Sequence, residues 1–151
     1  MTGNEEWMLS SKEPFEVMCH GDLAPYNMTM NGTVAVGIFD FDTLHPGPVI
    51  WDVAYAPYRW IICEQIDDGI TVHVRKLKLF FDAYQLAHED REIFVAVLVE
   101  RIENLVNYMI AQADEDDAQF VEDIENDHIA SYKRDINYLR RNQYQLEHGI
   151  L

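Results

Sequence analysis

Asn31-Gly32 constrains this chain more than any other pair of residues, because an Asn-Gly step between two apolar runs closes a tight hairpin and fixes which flanking side chains meet. The runs are Met28-Thr-Met30 on one side and Thr33 to Phe39 on the other. Asn and Gly together supply the two positive-φ residues that a type I′ turn demands. The hairpin carries Asn27 at one end and Asp40 at the other, which brings two oxygen-bearing side chains to the same edge. Ahead of it, Phe15 to Cys19 is short and apolar and reads as a strand. The loop His20 to Asn27 contains Gly21 and Pro25, which exclude a regular helix there.

Two clusters of acidic and amide side chains therefore converge. The first lies in Met18-Cys-His-Gly-Asp-Leu-Ala-Pro-Tyr-Asn-Met28, the second in Val36-Gly-Ile-Phe-Asp-Phe-Asp42. A cation of the magnesium kind takes oxygen ligands from one or two carboxylates and leaves its other positions to water and phosphate. Asn27 and Asp40 can supply those oxygens. Asp22 is then left to accept a hydroxyl proton from an incoming nucleophile, the task that phosphoryl transfer sets.

His20-Gly-Asp-Leu-Ala-Pro-Tyr-Asn27, Ile38-Phe-Asp-Phe-Asp42 and Trp51-Asp-Val-Ala-Tyr55 are three blocks in order and in register. Together they resemble the C-terminal lobe of the aminoglycoside phosphotransferase and choline kinase family, relatives of the protein kinases. The resemblance implies an α+β, mainly α fold: a protein-kinase-like C-lobe with a small β-hairpin catalytic region followed by about four helices. It also implies an ATP- and Mg2+-dependent phosphotransferase acting on a hydroxyl group, with Asp22 as catalytic base and Asn27 and Asp40 holding magnesium and, through it, the nucleotide. Asp52 would brace the catalytic loop by hydrogen bonding to its backbone, and His20 would support the metal loop by packing near Phe41. Asp42 stands where protein kinases have Gly.

About nineteen residues precede His20, and they contain no Gly-rich loop; Lys12 lies in a Ser-Ser-Lys-Glu-Pro turn. The expectation is a connector over 1–14 and a C-terminal lobe over 15–151, with the N-lobe absent. Within that lobe the catalytic loop spans 20–27, the metal loop 40–42 and the helical region 51–148. The alternative reading is a non-catalytic binding module, or a truncated remnant lacking the nucleotide-binding N-lobe, with a dimer mate or a separate N-lobe as partner. A haloacid-dehalogenase phosphatase is disfavoured. Its loop resembles Asp-x-Asp-x-Thr, whereas Thr43 here follows Asp42 directly.

At 151 residues the chain is one domain by length, long enough to bury roughly 70% of its unfolded surface. A hydrophobic content of 48% excludes a disordered chain. No apolar run approaches a membrane span, and Met1-Thr-Gly-Asn-Glu-Glu is not a signal peptide, so the expected location is the cytoplasm. Cys19 and Cys63 lie in apolar surroundings without metal-ligand spacing and read as buried thiols. The net charge of −16 argues against nucleic acid and membrane partners and favours cationic ones, so the small-molecule hydroxyl acceptor that the resemblance implies is expected to be cationic. An acidic surface that only confers solubility accounts for the same number.

Downstream, Thr43 to Ile50 reads as a loop, in which His45 is better explained by a backbone hydrogen bond than by catalysis. Trp51 to Ile62 reads as a helix kinked or broken by Pro57, and Ile70 to Leu86 as a second. Tyr58, Trp51 and Trp60 suit core packing more than a ligand platform. The stripe Phe94, Val97, Leu98, Ile102, Leu105, Val106, Met109 and Ile110 predicts a helix over Arg91 to Ala113. Eight acidic residues lie between Asp114 and Asp127; Lys133, Arg134, Arg140 and Arg141 then reverse the sign. Phe120, Val121, Ile124, His128, Tyr132, Ile136 and Leu139 predict one last helix, closing near Gly149 as a C-terminal cap.

Overall fold

A computed structural model describes residues 7–63, 68–114 and 127–151, and the chain divides into two units, Met1–Trp60 and Ile61–Leu151. Residues 115–126, which hold all of the acidic stretch but Asp114 and Asp127 and also Phe120, Val121 and Ile124, lie outside the described residues. The fold is α+β and mainly α, as the sequence predicts.

In the first unit, strand β1 (Val17–Cys19) feeds the loop that starts at His20, and a turn of 3-10 helix, Pro25–Asn27, leads into the hairpin of β2 (Met28–Asn31) and β3 (Val34–Ile38). Asn31 pairs with Val34, so the two loop residues are Gly32 and Thr33. Gly32 alone carries a positive φ, 62°. Asn31 has become a strand residue, and glycine in the first loop position fits a type II′ turn instead of the expected I′. The hairpin stands, with a register shift between Thr29 and Met30.

His45-Pro-Gly47, expected as loop, forms β4 and pairs antiparallel with β1, Cys19 opposite His45 and Val17 opposite Gly47. Proline is tolerated there because β4 is an edge strand of a two-stranded pair. Glycine is required by closeness: a Cβ at Gly47 would stand 2.9 Å from Cys19 Sγ. His45 is fully buried, with Nδ1 on Thr43 O at 2.8 Å and Nε2 accepting from Trp51 Nε1 at 3.0 Å. Both ring nitrogens are spent on the fold, so His45 is structural.

Helix α1 spans Val49–Pro57, starting two residues earlier than expected, and its first N–H is taken by Glu16 Oε2 at 2.9 Å. Pro57 offers no N–H to the preceding turn. There the α pattern gives way to a π turn over Tyr58–Ile62. Trp51, Ala54, Tyr55 and Tyr58 are buried, at 3% exposure or less, whereas Trp60 is exposed.

The second unit is helical: α2 (Ile70–Tyr84), α3 (His88–Glu92), α4 (Phe94–Asp114), α5 (His128–Arg141) and α6 (Gln143–Gly149). Leu77, Phe81, Phe94, Leu98, Ile102, Leu139, Leu146 and Ile150 are fully buried and form its core. Both free cysteines, Cys19 and Cys63, are buried thiols. Two continuous helices expected from the apolar stripe are broken. Ile93 (φ −103°, ψ 1°) separates α3 from α4, and Arg91 in α3 is 8% exposed. Its guanidinium binds Leu86 O (3.1 Å), Ile150 O (2.9 Å) and Asp82 Oδ1 (2.6 Å), and it holds the Asp82 carboxyl below the usual carboxylate range. At Asn142 the side-chain Nδ2 and the backbone N–H both bond to Tyr138 O, ending α5. Gly149 keeps a negative φ and is not a left-handed cap; a Cβ there would meet Val74 Cγ1, so its small size lets α6 approach α2.

His73, 2% exposed, shares a 2.7 Å hydrogen bond between Nδ1 and the Tyr138 hydroxyl, and its buried Nε2 has no hydrogen-bond partner among the described residues. Burial pushes the imidazole below its ordinary value of 6.5 and pushes the Tyr138 phenol up. Below that ordinary value the unfolded chain binds a proton that the folded chain refuses, so His73 stabilises the fold above pH 6.5 and loses that contribution as pH falls. Thermal melts between pH 7 and 5 are expected to show a steeper fall in Tm for the wild type than for His73→Gln. Equal slopes would mean that this imidazole is not the acid-sensitive group.

Among the described residues no helix is long and apolar enough to cross a membrane.

Candidate active site

The site is built on a loop that the first unit grips at several points. Gly21 turns the chain with φ 82° and donates its N–H to Asp52 Oδ1 at 3.0 Å. Thr43 Oγ1 donates to His20 O at 2.8 Å. The backbone N–H of Asp22 donates to His20 Nδ1 at 3.3 Å, so the ring proton sits on Nε2 and is given to Phe39 O at 3.1 Å. His20 is 5% exposed, and its ring lies 5.2 Å from that of Phe41. Its nitrogens join the loop from His20 to Asn27 to the strand end before Asp40, and both are spent on these bonds.

The Asp22 carboxylate is half-buried and accepts on both oxygens, from the Tyr26 hydroxyl on Oδ1 and Asn27 Nδ2 on Oδ2, each at 3.0 Å. Asn27, 3% exposed, also donates through Nδ2 to Asp22 O at 2.9 Å. With its nitrogen turned to Asp22, the amide presents Oδ1 elsewhere. Asn27 O accepts from Phe39 N at 3.1 Å, which extends the hairpin by one pair and sets Asp40 one residue beyond Asn27's neighbour. Asp40 is exposed, takes φ 65°, and makes no hydrogen bond or ion pair among the described residues. A left-handed aspartate is uncommon and marks a constrained position.

Asp22 and Asn27 are thus bonded to each other, and His20 and Asp52 each contact the loop or strand end that they were expected to support. Asp40 is adjacent in register but is not bonded to Asn27 or Asp22. Among the described residues no three His, Cys, Asp or Glu side chains gather as a metal cage. Magnesium needs fewer protein ligands than that, and the Asn27 amide oxygen and the Asp40 carboxylate, neither hydrogen-bonded among the described residues, are oxygen donors of the type it takes.

Three contributors had little or no sequence signal. Tyr26 holds Asp22, Arg59 stacks over the Tyr26 ring at 5.5 Å, and Trp60 Nε1 donates to Leu23 O at 3.2 Å. Tyr26 lies four residues after Asp22 in a loop containing a 3-10 turn, the one hint that they meet.

Residues 4–92 match the profile of the phosphotransferase enzyme family, and the chain belongs to that family. No curated protein and no solved structure matches it. Membership makes the chain a phosphotransferase-family protein and gives a transferase context to the Asp22 loop.

Proposed function

We propose that the chain carries the catalytic residues of an ATP- and Mg2+-dependent small-molecule kinase that phosphorylates a hydroxyl group. The observation that carries this reading is the Asp22–Asn27 pair, with Asp40 next in the chain to Phe39, whose N–H bonds to Asn27 O. Asn27 Oδ1 and the Asp40 carboxylate are the atoms that would hold Mg2+. The bound ion would supply charge neutralisation for the transferring phosphoryl group. Asp22 accepts the proton of the acceptor hydroxyl, and Tyr26 and Asn27 fix the carboxylate that does so. The Tyr26 hydroxyl occupies one carboxylate oxygen, so an acceptor must use the other lone pairs of Asp22 or displace the phenol.

The net charge of −16 supports a cationic acceptor, drawn by the averaged field. The test is ADP release from Mg-ATP by the full chain across a panel of cationic, neutral and anionic alcohols. Release that rises with one acceptor class is expected. No stimulation by any hydroxyl compound, together with no heat of Mg-ATP binding in calorimetry, would favour a non-catalytic module.

A further inference from the structure

We propose that the cleft between α4 and α5 binds a small organic anion with a hydrocarbon body. The site lies within the second unit and stands independently of the proposed kinase chemistry. The two walls are helical stripes at i, i+3, i+4 spacing, Glu103, Val106 and Asn107 from α4 and Lys133, Ile136, Asn137 and Arg140 from α5. They line an open cleft of about 440 Å³, in the range of small-molecule pockets.

The chemistry differs from floor to rim. Val106 and Ile136, each 6% exposed, form an apolar floor. Lys133 is exposed and has no ion-pair partner among the described residues. Asn137 follows it by one turn on the same face, and Asn107 faces it from α4. An ammonium and two amides can together coordinate a carboxylate or phosphate head. Arg140 Nη2 is bonded to Glu103 Oε1 at 2.6 Å, but both side chains are about half exposed. Such a bridge is weak and leaves the guanidinium other donors.

Charge points the same way. In a chain of net −16, the cleft is lined by two basic residues, Lys133 and Arg140, against one acidic, Glu103. An anion repelled by the averaged surface meets a locally positive wall here.

The probes are butyl phosphate, inorganic phosphate and butanol, titrated into 15N-labelled full chain and followed by NMR. Butyl phosphate is expected to shift Asn107, Lys133 and Asn137 saturably, with inorganic phosphate about fivefold weaker and butanol inert. Lys133→Ala should weaken butyl phosphate about fivefold, and Lys78→Ala should leave it unchanged. Equal binding of both phosphates would reduce the site to an adventitious ion only. Absence of saturable shifts, or full affinity in Lys133→Ala, would overturn the proposal.

Discussion

Replacing Asp22 by alanine is expected to lower phosphoryl transfer by about 10²–10⁴-fold, the usual contribution of a general base. The fold should survive. Asn27 Nδ2 keeps its second bond, to Asp22 O at 2.9 Å, and the loop keeps its ties at Gly21, His20 and Leu23. The lost side-chain hydrogen bonds from Tyr26 and Asn27 are worth about 1 kcal/mol each in net stability. Asp22→Asn separates proton acceptance from shape, since an amide fills the same space but takes no proton; it should be nearly as inactive as alanine. ADP release and a thermal melt on each variant decide this. Turnover within about tenfold of wild type in either variant would remove Asp22 from the role of base.

Gly21→Ala is expected to destabilise the first unit by about 3 kcal/mol and to disorganise the site with it. The residue has φ +82°, where a side chain is strained. The added Cβ would also meet Thr43 O, a backbone atom that cannot swing aside, and would stand 2.9 Å from Thr43 Oγ1. Relief would have to move Thr43, whose hydroxyl bonds to His20 O and whose carbonyl holds His45 Nδ1, each at 2.8 Å. Gly32→Ala is the matched control. Its φ is +62° but no atom lies within 4 Å of the new Cβ, so only the conformational cost of about 1 kcal/mol applies. Urea unfolding of the two variants should therefore differ severalfold in the stability lost. Equal losses would mean that the close approach to Thr43 carries nothing.

The contrast between these glycines also explains what was legible in the sequence. Local chemistry was readable: a Gly beside Asn between apolar runs makes a hairpin wherever it occurs, and Asp22 and Asn27 share a loop five residues apart. The choice between type I′ and II′ was not, because it depends on how the strands register, and Asn31 is drawn into β2 by its pairing with Val34. His45-Pro-Gly47 reads as a loop by composition, and only its distant partner β1 makes it a strand. The apolar stripe through Arg91 to Ala113 gives the helical face, but not the break at Ile93 between α3 and α4, beside an Arg91 whose guanidinium is bound to Leu86 O and Ile150 O. Asn142 likewise ends α5 by a side-chain bond that periodicity does not reveal. At the site, Thr43 and Trp60 contribute single hydrogen bonds across long sequence separations, for which no local pattern exists.

Manganese in place of magnesium, added with ATP at substoichiometric amounts to 15N-labelled chain, reports directly on whether residues 27 and 40 share a cation. Paramagnetic broadening centred on Asn27, Phe39 and Asp40, and lost in Asp40→Asn, is the predicted result. Broadening centred on other acidic residues, with the Asn27 and Asp40 signals left sharp, would contradict it.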